Sequence, residues 1–264
     1  MTAPTTLPGG LPAIVASQPL AGGSIAEVVR ATLADGRDVV VKRGSTPAEL
    51  EAEGLAALAA AGAPVPAVLA HEAGTIVLEH LDGPRGDRRA LGRALAGVHR
   101  HLGERFGWHR DNVIGSLPQR NTPAETWPGF YAEHRLAPYL TDLPPALAAR
   151  LERAITHVLP DLLDHDVPPS LIHGDLWSGN ILADRWLLDP AVCHADREVD
   201  LAMLELFGGV PTELAEGYAQ LWPLDAGWQA RRPALQLYHL LVHVRLFGAG
   251  YLGAVEARLD AIGA

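Results

Sequence analysis

The chain has 264 residues, 48% of them hydrophobic and 20% charged, which is enough apolar material to fill one large domain or two lobes. Its formal net charge of −10 argues against nucleic acid or an anionic membrane as a partner, because phosphate surfaces select basic faces. The single cysteine, Cys193, excludes an internal disulfide framework and suits a reducing cytosol, so a cytoplasmic protein is expected.

In chain order, the first twenty residues carry neither a basic start nor a sustained apolar run, and no signal peptide is expected. Residues 18–80 predict a small sheet with one helix. SIAEVVRATLADGRDVVVKRG holds two β-rich runs around Asp35-Gly36, a strong hairpin signal. Just before it, Gly22, Gly23 and Ser24 lie between the first two strands, where backbone N–H groups and a hydroxyl can cover phosphates; a plain turn is the alternative. STPAELEAEGLAALAAAG then opens as a helix, with Thr46 as N-cap, Pro47 at the first position, Glu49 completing a capping box and Gly62 as the stop. The uncharged stretch 54–70 is broken by Gly62, Pro64 and Pro66, so it reads as a helix end plus a loop rather than a membrane span. PAVLAHEAGTIVLEHLDG gives two more short strands around Ala73-Gly74. They end at Glu79, His80 and Leu81, where the sequence shows only an apolar strand ending; in a nucleotide kinase the backbone there would be the adenine-facing hinge.

From residue 88 the pattern is mainly helical, in RRALGRALAGVHRHLG, ALAARLERAITHVL and ALQLYHLLVHVRLFGAGYL, with a Trp/Pro/Asn-rich connector between the first two. The aromatics of WPGFYAEHRLAPYL have the spacing of a helix packed into the core. A β-like island, LIHGDLWSGNILADRWLLDP, interrupts the helices, and its strands ILA and WLLD flank a tight turn at Asp184-Arg185. The outline is α+β in two lobes: residues 1–82, a mainly antiparallel sheet with one helix, and residues 83–264, mainly helical.

The island concentrates the chemistry. Asp175 and Asn180 are five residues apart and Asp189 follows the hairpin, so three polar groups at strand ends can meet at one point. Phosphoryl transfer needs such a set: one Asp to receive the proton of the attacking hydroxyl, and an Asn with a second Asp to hold Mg²⁺. The D-x-x-x-x-N spacing is shared with the protein-kinase catalytic loop, against the plain alternative of a polar hairpin with an Asx turn. Lys42 gains meaning beside it. Of the 21 Lys and Arg residues it alone is Lys, and it ends the third β-run, where a kinase places the lysine that reaches the ATP phosphates. A compact ammonium suits that task better than a bulky guanidinium fork. For its helix partner, a step of about 100° per residue puts Glu53 beside the Leu50/Gly54/Ala57 face and turns Glu51 away, so Glu53 is the expected ion pair.

GGSIAEVVR, VVVKRG, FGWHRDNVIGSLPQRNTPAETWPGFYAEHRL, HGDLWSGNIL and LDPAVCHADREVDLAMLELFGG together resemble the fructosamine (ketosamine) kinase family, within the aminoglycoside-phosphotransferase-like, protein-kinase-like fold. HGDxxxxN alone indicates only the superfamily; Trp177 in HGDLWSGN, the DNVIGSLPQ connector and REVDLAMLELFGG are more specific. The resemblance implies ATP- and Mg²⁺-dependent phosphorylation of a sugar hydroxyl on an amine-linked ketose, including glycated amino acids or proteins, by a monomer. It implies Asp175 as base, Asn180 and Asp189 as metal ligands, and Lys42 with Glu53 for ATP. Trp177 would lie against the sugar or anchor the core. The hairpin at 183–186 is unusually short, and AVCHADRE is expected to bear on substrate preference. Cys193 reads as a small packed thiol. His99, His101, His239 and His243 read as helix-face histidines, since no H-E-x-x-H or cysteine pair accompanies them. Two alternatives are a kinase of the same fold acting on an aminoglycoside, a choline-like alcohol or homoserine, and a non-catalytic pseudokinase.

Overall fold

The computed structural model describes residues 7–20, 26–44 and 47–264. The expected phosphate cover at Gly22, Gly23 and Ser24 and the cap at Thr46 lie outside the described residues. A five-stranded antiparallel sheet comes first, in the order β1 (Ile14–Pro19), β2 (Glu27–Leu33), β3 (Asp38–Arg43), β5 (Thr75–Glu79), β4 (Val68–Glu72). The hairpins at Asp35-Gly36 and Ala73-Gly74 form as expected, with Gly36 at φ 87°, Ala73 at 37° and Gly74 at 77°. Alternation in β3 sends Val39 and Val41 into one apolar layer with Val29, Ala31, Leu33 and Val77. Val40 and Lys42 therefore share the opposite face. There Val40 packs with Ala48, Ala52 and Leu55 of α1 (Ala48–Ala60) and with Ile76 and Leu78. Lys42 is thus aimed at the helix by the period of its strand.

The rest is mainly helical, and together with the sheet it makes the two-lobed α+β kinase fold. Its helices are α2 (Arg88–His99), α3 (Trp127–Tyr131), α4 (Pro145–Arg153), α5 (Leu159–Leu162), α6 (Glu198–Leu206), α7 (Thr212–Leu221), α8 (Trp228–Phe247) and α9 (Leu252–Ala261). α8 is the spine of the large core: Leu235, Leu237, Tyr238, Leu240 and Leu241 are all buried, and Trp127, Phe130, Tyr131, Leu136 and Tyr139 join the same cluster. The connector holds a short hairpin that the sequence pattern did not separate, β6 (Asn112–Ile114) with β7 (Leu117–Gln119). Its Asn112 and Gln119 side chains donate to the carbonyls of Val192 and Ala191, which ties the connector to the island.

The island consists of β8 (Ser170–Ile172) paired antiparallel with β11 (Cys193–Ala195), and of the hairpin β9 (Ile181–Leu182) and β10 (Trp186–Leu187). Ala183 and Asp184 both take positive φ, 50° and 53°, in a turn closed by the Arg185 N–H on the Leu182 carbonyl, so three residues connect Leu182 to its partner Trp186. The expected substrate-facing role of AVCHADRE is not supported. Ala191, Val192, Cys193, Ala195, Asp196, Arg197 and Glu198 are buried, because β11 runs through the core behind the loop. Burial pushes the Cys193 thiol up, as a packed thiol requires.

Candidate active site

β8 delivers its chain directly into His173-Gly174-Asp175. Gly174 turns at φ 85°, and a Cβ there would collide with the Ala191 carbonyl, so only glycine allows this close approach. The loop is then fixed from behind. The buried Asp200 carboxylate on α6 accepts the His173 N–H at 2.7 Å and the Gly174 N–H at 2.8 Å, and the His99 Nε2–H of α2 donates to it at 3.1 Å. Burial alone would push the Asp200 carboxyl up, but hydrogen bonds from His99 and Gly174 hold it below the ordinary aspartate range. His173 Nε2–H donates to the Leu188 carbonyl at 2.9 Å, leaving Nδ1 to accept the Asp175 N–H at 3.3 Å. His239 Nε2–H on α8 donates to the Gly174 carbonyl at 2.9 Å, and burial drives its imidazole down to about 4. His99 and His239, expected as ordinary helix-face residues, are fully buried posts under the loop.

Asn180 closes the loop on itself: its Nδ2 donates to the Asp175 carbonyl at 2.8 Å. Asp189, at φ 54°, follows β10 and comes up beside them. Burial together with the Asp189 charge pushes the Asp175 carboxyl up to about 7, against the opposing hydrogen bond from Asn180. A carboxylate this reluctant to stay charged is a better proton acceptor than an exposed aspartate.

Lys42 reaches this cluster from 147 residues away in sequence. Its Nζ lies 2.5 Å from Asp189 Oδ1 and 2.7 Å from Glu51 Oε1, with 14% of the lysine side chain exposed. Burial pulls the ammonium pKa down, but the Asp189 and Glu51 charges outweigh it and hold Lys42 protonated. Pro190 packs at about van der Waals distance beneath Gly54 of α1: a Cβ at Gly54 would stand 3.1 Å from Pro190 Cγ. The helix and the Asp189 loop are thereby held together.

The expected Lys42–Glu53 pair does not form. The buried residues of α1 are Ala48, Ala52, Gly54, Leu55 and Leu58, and Glu51 lies between Ala48 and Leu55 on the side that faces β3. Glu53 points to the connector instead, accepting from Trp108 Nε1 at 2.7 Å and pairing with Arg110 at 2.8 Å. The error lay in centring the inward face on Leu50 and Ala57, which are only half-buried; Gly54 is buried, but against Pro190. The stripe beginning at Ala48 was the signal that could have corrected it. Asp200 was also missed; a carboxylate amid the apolar run VDLAML was its only mark. Glu79 ends β5, and His80 and Leu81 continue into irregular chain. Trp177 is 39% exposed, which excludes a core anchor.

The chain is similar to proteins of one family. The fructosamine kinase family model matches residues 7–263. The chain belongs to the fructosamine kinase family. Among its relatives is a probable ketoamine kinase of Thermus thermophilus, 36% identical over 96% of each chain. Another, from Synechocystis, is 40% identical over 77% of this chain and 74% of the relative. The crystal structure of a fructosamine-3-kinase candidate from Thermobifida fusca superimposes with a TM-score of 0.86 at 38% identity, covering 94% of this chain and 93% of that one. This member of the fructosamine kinase family is a phosphotransferase acting on a sugar hydroxyl of a small-molecule ketosamine, with ATP as donor, and family membership does not favour the other-alcohol and pseudokinase alternatives. No helix among the described residues is long and apolar enough to cross a membrane.

Proposed function

We propose that Asp175, Asn180, Asp189, Lys42 and Glu51 form the working centre of a cytoplasmic, monomeric ketosamine kinase, with lobes meeting near residues 82 and 83. The observation that carries this assignment is the convergence of Lys42 Nζ on Asp189 while Asn180 braces Asp175, two chain segments far apart in sequence meeting at one point. Asp175 accepts the proton of the acceptor hydroxyl as that oxygen bonds to the γ-phosphorus and the bond to the β-phosphate oxygen breaks, releasing ADP. Lys42, held by Glu51, aligns the α- and β-phosphates. The backbone of Glu79, His80 and Leu81 takes the adenine edge, and Gly22, Gly23 and Ser24 cover the phosphates. Trp177 offers an exposed ring face to the sugar C–H surface.

The donor set suits Mg²⁺. With the Asn180 amide nitrogen committed to Asp175, its carbonyl oxygen remains available to a metal, as does the half-exposed Asp189 carboxylate, and hard oxygen donors of this kind suit Mg²⁺. Mg²⁺ held there would neutralise phosphate charge. The functional test is phosphorus NMR of the product formed from ATP and a panel of fructosamines and ribulosamines, including glycated amino acids and a glycated protein. Asp175→Asn should lower kcat at least a thousandfold while nucleotide binding by calorimetry persists. Undiminished turnover in that variant refutes the assignment.

A further inference from the structure

α8 carries more than the post at His239. One turn further on, about 6 Å along the axis, His243 sits among three aromatic rings. Their centroids lie 4.6 Å away for Phe207, 5.4 Å for Phe247 and 5.0 Å for Tyr251. Its Nδ1–H donates to the His239 carbonyl at 2.7 Å, which fixes the tautomer and leaves the lone pair on Nε2. Among the described residues no protein donor reaches that Nε2. Burial lowers the imidazole pKa, so the lone pair is kept at neutral pH.

The cluster adjoins the catalytic loop at two points. His239, on the same helix, bonds the Gly174 carbonyl. Gly208, following Phe207, comes so near the loop that a Cβ on it would stand 3.6 Å from Ser178 Oγ, next to Trp177. Phe247 is 53% exposed, more than any core role requires, and Trp177 is the other exposed aromatic of this rim. A lone-pair acceptor framed by ring faces is suited to one kind of ligand group, an ammonium bearing hydrogens and an apolar chain.

We propose that His243, Phe207, Phe247 and Tyr251 form the subsite for the nitrogen of the ketosamine. His243 Nε2 accepts an N–H of the secondary ammonium, and the rings surround the cation and the first carbons of the amine. This inference rests on the ketosamine reading and extends it from the phosphorylated hydroxyl to the amine. An amine-free ketose would gain nothing from these four residues, so the cluster discriminates ketosamines from ordinary ketoses.

The test uses the full-length enzyme with ATP, a simple fructosamine such as N-fructosylglycine as substrate, and amine-free 1-deoxyfructose as a competing ligand. Phe247→Ala should raise KM for the fructosamine about tenfold with kcat changed less than twofold. The inhibition constant of 1-deoxyfructose should move less than twofold, and Phe247→Tyr should restore KM. A KM that stays within twofold of the parent value, or an inhibition constant that rises in step with KM, overturns the subsite. If the parent enzyme phosphorylates no ketosamine, the functional reading falls and the subsite with it; turnover with an unaltered KM removes the subsite alone.

Discussion

Glu51→Gln separates the two candidate partners of Lys42. The substitution keeps the side-chain shape and removes one of the two charges that hold a largely buried ammonium. Lys42 and Glu51 side chains are 14% and 17% exposed, between the fully buried pairs whose breaking costs about 3–5 kcal/mol and the exposed pairs worth about 0–1 kcal/mol. Asp189 remains 2.5 Å from Nζ and still compensates the charge, so the loss of stability should be about 1–2 kcal/mol. For a chain of this size that lowers Tm by about 5 °C. The larger effect should be functional. Released from Glu51, the ammonium relaxes toward Asp189 and away from the nucleotide phosphates, and KM for ATP should rise about tenfold, equivalent to about 1.4 kcal/mol. Glu53→Gln is the internal control. It weakens the half-exposed Arg110 pair and leaves Lys42 untouched, so KM for ATP should stay within twofold. Steady-state kinetics and thermal unfolding on both variants decide the matter. A Glu53→Gln variant that raises KM for ATP as much as Glu51→Gln would refute the assignment of Glu51.

Lys42→Arg should keep the fold, as read by circular dichroism, and lose at least a hundredfold in ATP-dependent turnover, because a planar fork cannot occupy the niche between Glu51 and Asp189 as the ammonium does. Asp200→Asn removes a charged acceptor shared by two backbone N–H groups and His99; denaturant unfolding should show a loss of about 3–5 kcal/mol, with kcat falling at nucleotide saturation. His239 gives a pH signature. Unfolded, it takes up a proton below about 6.5, whereas folded it resists until about 4, so its stabilising contribution is complete above the unfolded value and is lost as pH falls toward the folded one. Between pH 7 and 5 that amounts to about 2 kcal/mol, and His239→Gln, which can still donate to Gly174, should lose less stability over that interval by this amount; parallel pH profiles would refute it.

Much of this centre was legible because its chemistry is local. Asp175, Asn180 and Asp189 occupy fixed offsets around one loop and one hairpin, and the turn residues that set those offsets are themselves visible in the sequence. Lys42 was legible for a different reason: strand alternation gives its face, and its uniqueness among the basic residues marks the position as one where Arg does not serve. The two sheet hairpins were equally plain, since Gly36 in one and Ala73-Gly74 in the other take the positive φ that such turns require.

What was not legible depends on what packs against what. The partner of Lys42 is decided by the rotational phase of α1, and that phase is set by Ile76, Leu78 and Pro190, residues far from the helix in sequence. Asp200 has the same character. Nothing near it in sequence needs a carboxylate; the need arises 26 residues earlier, where Gly174 must turn so tightly that two backbone N–H groups are left pointing into the core. Burying those donors without an acceptor would cost more than burying one charged carboxylate that satisfies both and takes a third bond from His99. The apolar helix thus carries its acid because of the loop's geometry. The same logic explains why His99 and His239, unremarkable on their own helices, are the residues that complete the support of Asp175 from two further sides.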